Sequence, residues 1–250
     1  MVVLAALIAA AVAVTFTGAR FIFVPSPPSS SHASLPPTPI SYIGVFETGA
    51  PPHYSPVAEF TRAARRPPNM VAYYSGWTQP FAVSFARTMF SHDIIPCVQI
   101  DPTYASVAGV AAGAYDGYLR QYADSVRDFG HAVVIGFGHE MNAPWYSWGY
   151  GHVRPSDTFS SAFGRTIDEV RAFTRKPVLL SETGVAPGAG QFAQISNLFD
   201  GMHREETLGL IWFDKSQHGS IYRQNWRIED NEAAQAAFRL GIAPLILVRP

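Results

Sequence analysis

Two glutamates stand in settings that point to chemistry. Glu140 follows the apolar run Ala132–Phe137, within Gly138-His139-Glu140-Met141-Asn142. Glu182 ends a second run, Val178-Leu179-Leu180-Ser181-Glu182-Thr183-Gly184. A carboxylate at the end of a buried strand costs free energy unless it has a partner or a task. Glycosidic cleavage has a task for each of two: one protonates the leaving oxygen, the other serves the anomeric carbon or a water. Two carboxylates at one mouth repel, so one keeps its proton. Trp145, Tyr146, Trp148 and Tyr150 follow Glu140 in one short loop. Flat aromatic faces beside a carboxylate suit a sugar ring, with its C–H faces and hydroxyl edges. The competing account is two structural glutamates paired with arginines.

The neighbouring candidates are weaker. His139 could ligate a metal, but His-Glu-x-x-His is absent because position 143 is Ala, and His152, His203 and His218 show no ligand spacing. His139 is therefore expected to contact sugar or to support a residue that does, with no metal and no organic cofactor; a metal hydrolase using His139 and Glu140 is the alternative. No Gly-x-Ser-x-Gly elbow occurs, which argues against a serine hydrolase. Trp145 and Trp148 are expected to stack on ligand. Trp77 and Trp212 could be core, yet Trp212 beside Asp214 at a strand end is expected to floor a sugar site. Tyr74, Gln99 and Asp101 are further rim candidates.

Positioning these residues falls to a repeating pattern that starts at Ser41. Apolar runs at Tyr42–Phe46, Met70–Tyr74, Ile94–Ile100, Ala132–Phe137, Pro177–Leu180 and Leu208–Phe213 read as strands. Helical spacing lies between them, as in Leu119, Tyr122, Val126 and Phe129, in Phe159, Phe163, Ile167 and Val170, and in Phe192, Ile195, Leu198 and Met202. Weaker helices are expected at Val57–Ala64, Phe81–Phe90 and Asn231–Leu240. Alternating strands and helices predict a parallel α/β sheet. Functional residues after each run predict a TIM-type (β/α) barrel with its site on the C-terminal rim. An open doubly wound sheet also fits the alternation, but Gly44-Val45-Phe46-Glu47-Thr48-Gly49 is not a phosphate loop.

The chain has 250 residues, 48% hydrophobic and 15% charged, with net charge −1. That supports one core and implies no nucleic-acid partner. The single cysteine, Cys97, excludes an internal disulfide and reads as a small buried hydrophobe. Residues 1–24 are expected to be a signal peptide or membrane anchor, and residues 25–40, rich in Pro and Ser, a linker. Residues 41–250 would form the catalytic domain, secreted or held at the outer face of the cell membrane.

The motifs Gly138-His139-Glu140-Met141-Asn142, Trp145-Tyr146-Ser147-Trp148-Gly149, Lys176-Pro177-Val178-Leu179-Leu180-Ser181-Glu182-Thr183-Gly184 and Ile211-Trp212-Phe213-Asp214 resemble glycoside hydrolase family 26. These are the retaining β-mannanases and their relatives on a (β/α)8 barrel. Tyr73-Tyr74-Ser75-Gly76-Trp77 is similar to the secreted actinobacterial branch. The resemblance spans roughly Ser41 to Leu240. It implies that Glu140 is the acid/base and Glu182 the nucleophile. It implies that His139 and Trp212 shape the subsite of cleavage, with Asn142, Trp145, Trp148, Asp214, Trp77 and Tyr74 as further sugar contacts. The polysaccharide would be mannan-like.

The chain departs from the family in one respect. Two strand–helix units that the family places between the aromatic loop and the nucleophile's strand are missing. A barrel uses about 31 residues per unit, and Ser41 to Leu240 holds about six. An incomplete barrel of about six strands in place of eight is expected, closed tightly or left open with exposed edges. A glycan-binding module that has lost catalysis is the alternative function. Neighbouring units gone, the strand before Glu140 must pair with the strand before Glu182, or both become edges.

Overall fold

The computed structural model describes residues 40–106, 109–110, 112–140, 178–217 and 224–249. The expected leader, linker and loop tryptophans Trp145 and Trp148, together with Asn142 and the helical spacing at Phe159–Val170, lie outside the described residues. Among the described residues no helix is long and apolar enough to cross a membrane.

Six strands and five helices of eight or more residues alternate in the described chain. They are β1 (Tyr42–Glu47), α1 (Ser55–Ala64), β2 (Met70–Gly76), α2 (Val83–Ser91), β3 (Ile95–Asp101), α3 (Asp116–Phe129), β4 (Val134–Phe137), β5 (Leu179–Thr183), α4 (Gln191–Arg204), β6 (Gly209–Asp214) and α5 (Glu232–Ile242). The strands form one sheet in the order β4-β3-β2-β1-β6-β5, and every pairing is parallel. The first strand pairs with the last over its whole length, from Tyr42 opposite Gly209 to Glu47 opposite Asp214. That is the seam by which a (β/α) barrel closes. The opening lies elsewhere, between β4 and β5, each paired on one side only among the described residues. The result is an open, curled half-barrel, the incomplete (β/α) barrel expected from the repeat count.

Two cores cover the two faces of the sheet. On the convex face, Ile43, Val45, Val71, Tyr73, Val98, Leu210 and Trp212 pack against Phe60, Phe85, Met89, Leu198 and Phe238 of the helices. On the concave face, Tyr42, Met70, Ala72, Ile95, Cys97 and Ile211 form a smaller core with Phe46, Val134 and Leu179. Strand residues therefore alternate between helix layer and barrel interior. Gly209 has φ +154, and a Cβ there would lie 1.8 Å from the Tyr42 carbonyl oxygen. Only glycine lets β6 begin that close to β1.

Local signals set the helix ends. The Asn231 side chain caps α5 by accepting from the Ala234 N–H at 3.1 Å. Its amide also donates to Gln191 Oε1 at 2.7 Å, joining α5 to the start of α4. Gly130, at φ 75°, ends α3 in the left-handed region.

Candidate active site

The interior face of the sheet carries Glu182, one of the two expected carboxylates. Tyr74 follows Met70 and Ala72 on the concave side of β2. Its hydroxyl donates to Glu182 Oε2 at 2.7 Å. β2 and β5 are three strand positions apart in the sheet. On a flat sheet that is about 14 Å at the usual strand spacing, so the curl of the half-barrel is what makes the bond.

Glu182 reaches this face through an irregularity in β5. Leu180 pairs with Leu210, and Thr183 pairs with Trp212, so three steps on β5 match two on β6. Without the extra residue Glu182 would oppose Trp212 and face the helices. The bulge turns it into the barrel, as bulges beside functional sites commonly re-aim a side chain.

Glu140 and His139 come from the turn after β4. The Gly138 N–H donates to the Ile100 carbonyl at 3.1 Å, which continues the ladder one step past the strand. Glu140 then has φ 48°, a left-handed conformation in a non-glycine residue. Such backbone costs of order 1 kcal/mol or more and gathers at functional sites. The His139 ring is 9% exposed and lies 4.8 Å from the Tyr74 ring, tilted by 58°.

Electrostatics join the groups. Burial raises the Glu182 carboxyl to about 7; the Tyr74 hydrogen bond opposes the rise, the Glu140 charge adds to it, and Lys215 opposes it. Three side chains thus act on one buried carboxyl. Burial lowers the pKa of His139, partly offset by the Asp101 carboxylate, so the imidazole is held toward its neutral form. Phe46 and Phe213 stack at 5.1 Å beside Tyr74, and Lys215 Nζ lies 6.0 Å from the Phe213 ring. This aromatic floor was not singled out in the sequence, because Phe46 and Phe213 sit inside apolar runs that read as core.

Other expected contacts fall elsewhere. Trp212 is fully buried on the helix side, 5.3 Å from the Phe238 ring, and its indole N–H donates to the Trp226 carbonyl at 2.9 Å. It offers no face to a sugar. Asp214 is also fully buried and accepts from the Ile228 N–H at 2.8 Å. Both follow Leu210 in alternation, which places them on the convex face, not the interior. Trp77 is half-buried among Tyr115, Tyr118 and Phe137. Gln99 and Asp101 face the interior from β3; Asp101 Oδ1 accepts from the backbone N–H and the hydroxyl of Thr103.

Behind the sheet lies a second acidic group. Glu47 opposes Asp214 in register, and Glu229 from the loop before α5 joins them. Burial raises the pKa of both Glu47 and Asp214, and for Asp214 the nearby Glu229 and Glu47 raise it further. In sequence, Asp214 stood out at a strand end, but nothing signalled Glu47 and Glu229 as its neighbours.

No family model matches the chain. Over 129 residues it is 23% identical to Endoglucanase H of Acetivibrio thermocellus, covering 50% of this chain and 14% of that protein. The chain thus spans about a seventh of that relative's length. Solved structures share the fold across most of the chain. The YdhT protein from Bacillus subtilis superposes with TM-score 0.55 at 14% identity, covering 81% of this chain and 86% of that one. The Bacillus subtilis mannanase BCman gives 0.54 at 13% identity, with the same coverage. The endo-beta-1,4-glucanase Xac0029 from Xanthomonas axonopodis pv. citri gives 0.50 at 12% identity, covering 83% of this chain and all of that one. The half-barrel therefore shares its (β/α)-barrel fold with these structures, a mannanase and an endo-beta-1,4-glucanase among them.

Proposed function

We propose that this chain is a retaining glycoside hydrolase of the family 26 type, acting within β-1,4-linked, mannan-like polysaccharides. The observation that carries the proposal is the buried Glu182 carboxyl, held by Tyr74 and sensing the charge of Glu140 on the concave face of a glycosidase-like barrel. The sequence motifs around both glutamates supply the assignment of roles. Glu182 attacks the anomeric carbon while Glu140 gives its proton to the leaving oxygen. A water then enters, gives a proton back to Glu140, and releases the sugar from Glu182 with net retention. The Tyr74 hydroxyl favours the ionised form of Glu182 and fixes the oxygen it touches. His139, Trp77 and the loop residues Asn142, Trp145 and Trp148 are assigned to the sugar. Trp212 and Asp214 are not, being buried on the other face. Export, by a leader within residues 1–24, would bring the enzyme to its polymer.

Reducing-end release from mannan, set against cellulose and xylan, tests the substrate. Variants test the roles. Glu140→Ala should lose least activity on aryl glycosides with good leaving groups, whose departure needs no proton. Glu182→Ala should be inactive on all of them until azide is added, and should then give a product of inverted configuration. Identical responses of the two variants to leaving-group quality would sink the assignment.

The open edges of β4 and β5 favour a second reading, a glycan-binding module without turnover. Calorimetric binding of a manno-oligosaccharide that remains uncleaved would select it.

A further inference from the structure

The carboxylates behind the sheet have no evident place in that mechanism. Glu47 ends β1 and Asp214 ends β6, directly opposite each other. Both are on the convex face, continuing the alternation of Ile43 and Val45 and of Leu210 and Trp212. Glu47 is 1% exposed and Asp214 0%. Like charges placed opposite on paired strands destabilise a sheet. Burying them costs more, unless something compensates.

The protein groups nearby compensate little. Among the described residues, no N–H or hydroxyl donates to either carboxylate oxygen of Glu47, to either of Glu229 or to Oδ2 of Asp214, all of them buried. Asp214 Oδ1 is engaged by the Ile228 N–H, which fixes the carboxylate and leaves Oδ2 over. The Arg227 guanidinium approaches Glu47 only to 4.0 Å and Glu229 only to 3.8 Å. It also faces Glu59 and Asp230, each at 3.6 Å, so one cation is divided among four carboxylates.

We propose that Glu47, Asp214 and Glu229 bind a hard divalent cation of the calcium class, which ties the ends of β1 and β6 to the loop entering α5. One oxygen from each residue lies within 4.8 Å of the others. Two ligands on opposite sides of a calcium ion, each at about 2.4 Å, are about 4.8 Å apart. The set is all carboxylate, without His or Cys, which suits calcium rather than zinc or copper. Waters complete the shell. The site is structural: it lies across the sheet from Tyr74 and Glu182, and it crosses the seam where first and last strands meet.

The test is calcium titration of the chelator-treated full chain by calorimetry, with thermal unfolding followed in parallel. One calcium per chain should bind, with a dissociation constant at or below the order of 10⁻³ M, and the midpoint of unfolding should rise with calcium concentration. Glu229→Gln, changed at the loop and not in the sheet, should weaken binding about tenfold or more. Glu206→Gln, on the exposed turn after α4, should leave binding as it was. Unfolding that is indifferent to calcium, magnesium and chelator would overturn the proposal in favour of carboxyls that share protons. So would calcium binding unchanged in Glu229→Gln. Neither outcome bears on glycan cleavage, which is measured separately.

Discussion

In the proposed mechanism Tyr74 is the residue that holds Glu182. Its hydroxyl donates to Oε2 at 2.7 Å, which favours the carboxylate over the acid. Tyr74→Phe removes that donor and keeps the ring against Phe46 and His139. A hydrogen bond to a charged group contributes about 1.5–3 kcal/mol, equivalent to about one pH unit or more. The acidic limb of the kcat/KM profile should therefore move toward higher pH by about one unit. An unmoved limb would show that the phenol does not hold the proposed nucleophile. The same carboxyl makes a stability prediction. Burial raises it from 4.5 to about 7, so the folded chain binds the proton more tightly than the unfolded one. Its contribution is fully present below 4.5 and is lost as pH rises through about 7. Glu182→Gln should accordingly raise the unfolding temperature at pH about 8 and change it little at pH about 5. Equal effects at the two pH values would contradict the burial argument.

At the scale of elements, the N-terminus of α5 has the clearest local cause. Asn231 caps that helix and bridges to Gln191, whose own amide donates to the Val185 carbonyl at 3.0 Å. Asn231→Ala should cost about 1–2 kcal/mol, the cap together with the bridge, read from the midpoint of urea unfolding. This helix was legible in the sequence to within two residues, expected at Asn231–Leu240 and found at Glu232–Ile242. The strands were legible as well, all six of them. Their facing was not. β6 is buried on both sides, so Leu210, Ile211, Trp212 and Phe213 read as one apolar run and carry no parity. The placement of Trp212 on the helix side was hidden for that reason, and Phe213 went unremarked.

At the scale of the molecule, the missing units decide the shape. The seam between β1 and β6 is kept in full, and the deficit falls between β4 and β5. The alternative in which those two strands pair directly is not taken, so each presents a free edge among the described residues. An edge of that kind invites association and weakens a barrel. Inserting two βα units from a complete relative after Pro155 should raise both the unfolding temperature and the turnover on mannan. A natural chain that already melts cooperatively at high temperature as a monomer, with turnover on the order of 1–10³ s⁻¹, would contradict this.

The sequence by itself determined the alternation of strands and helices, the count of six, the burial of Cys97 and the strand-end positions of Glu140 and Glu182. These follow from periodicity and composition, which are written along the chain. Tertiary structure alone decided which groups meet. The curl of the sheet carries Tyr74 across to Glu182, three strands away. One extra residue in β5 turns Glu182 into the barrel. The pairing of first strand with last sets Glu47 against Asp214, 167 residues onward, for Glu229 to join. Each of these depends on register and curvature between distant segments, and no local pattern of residue types encodes them.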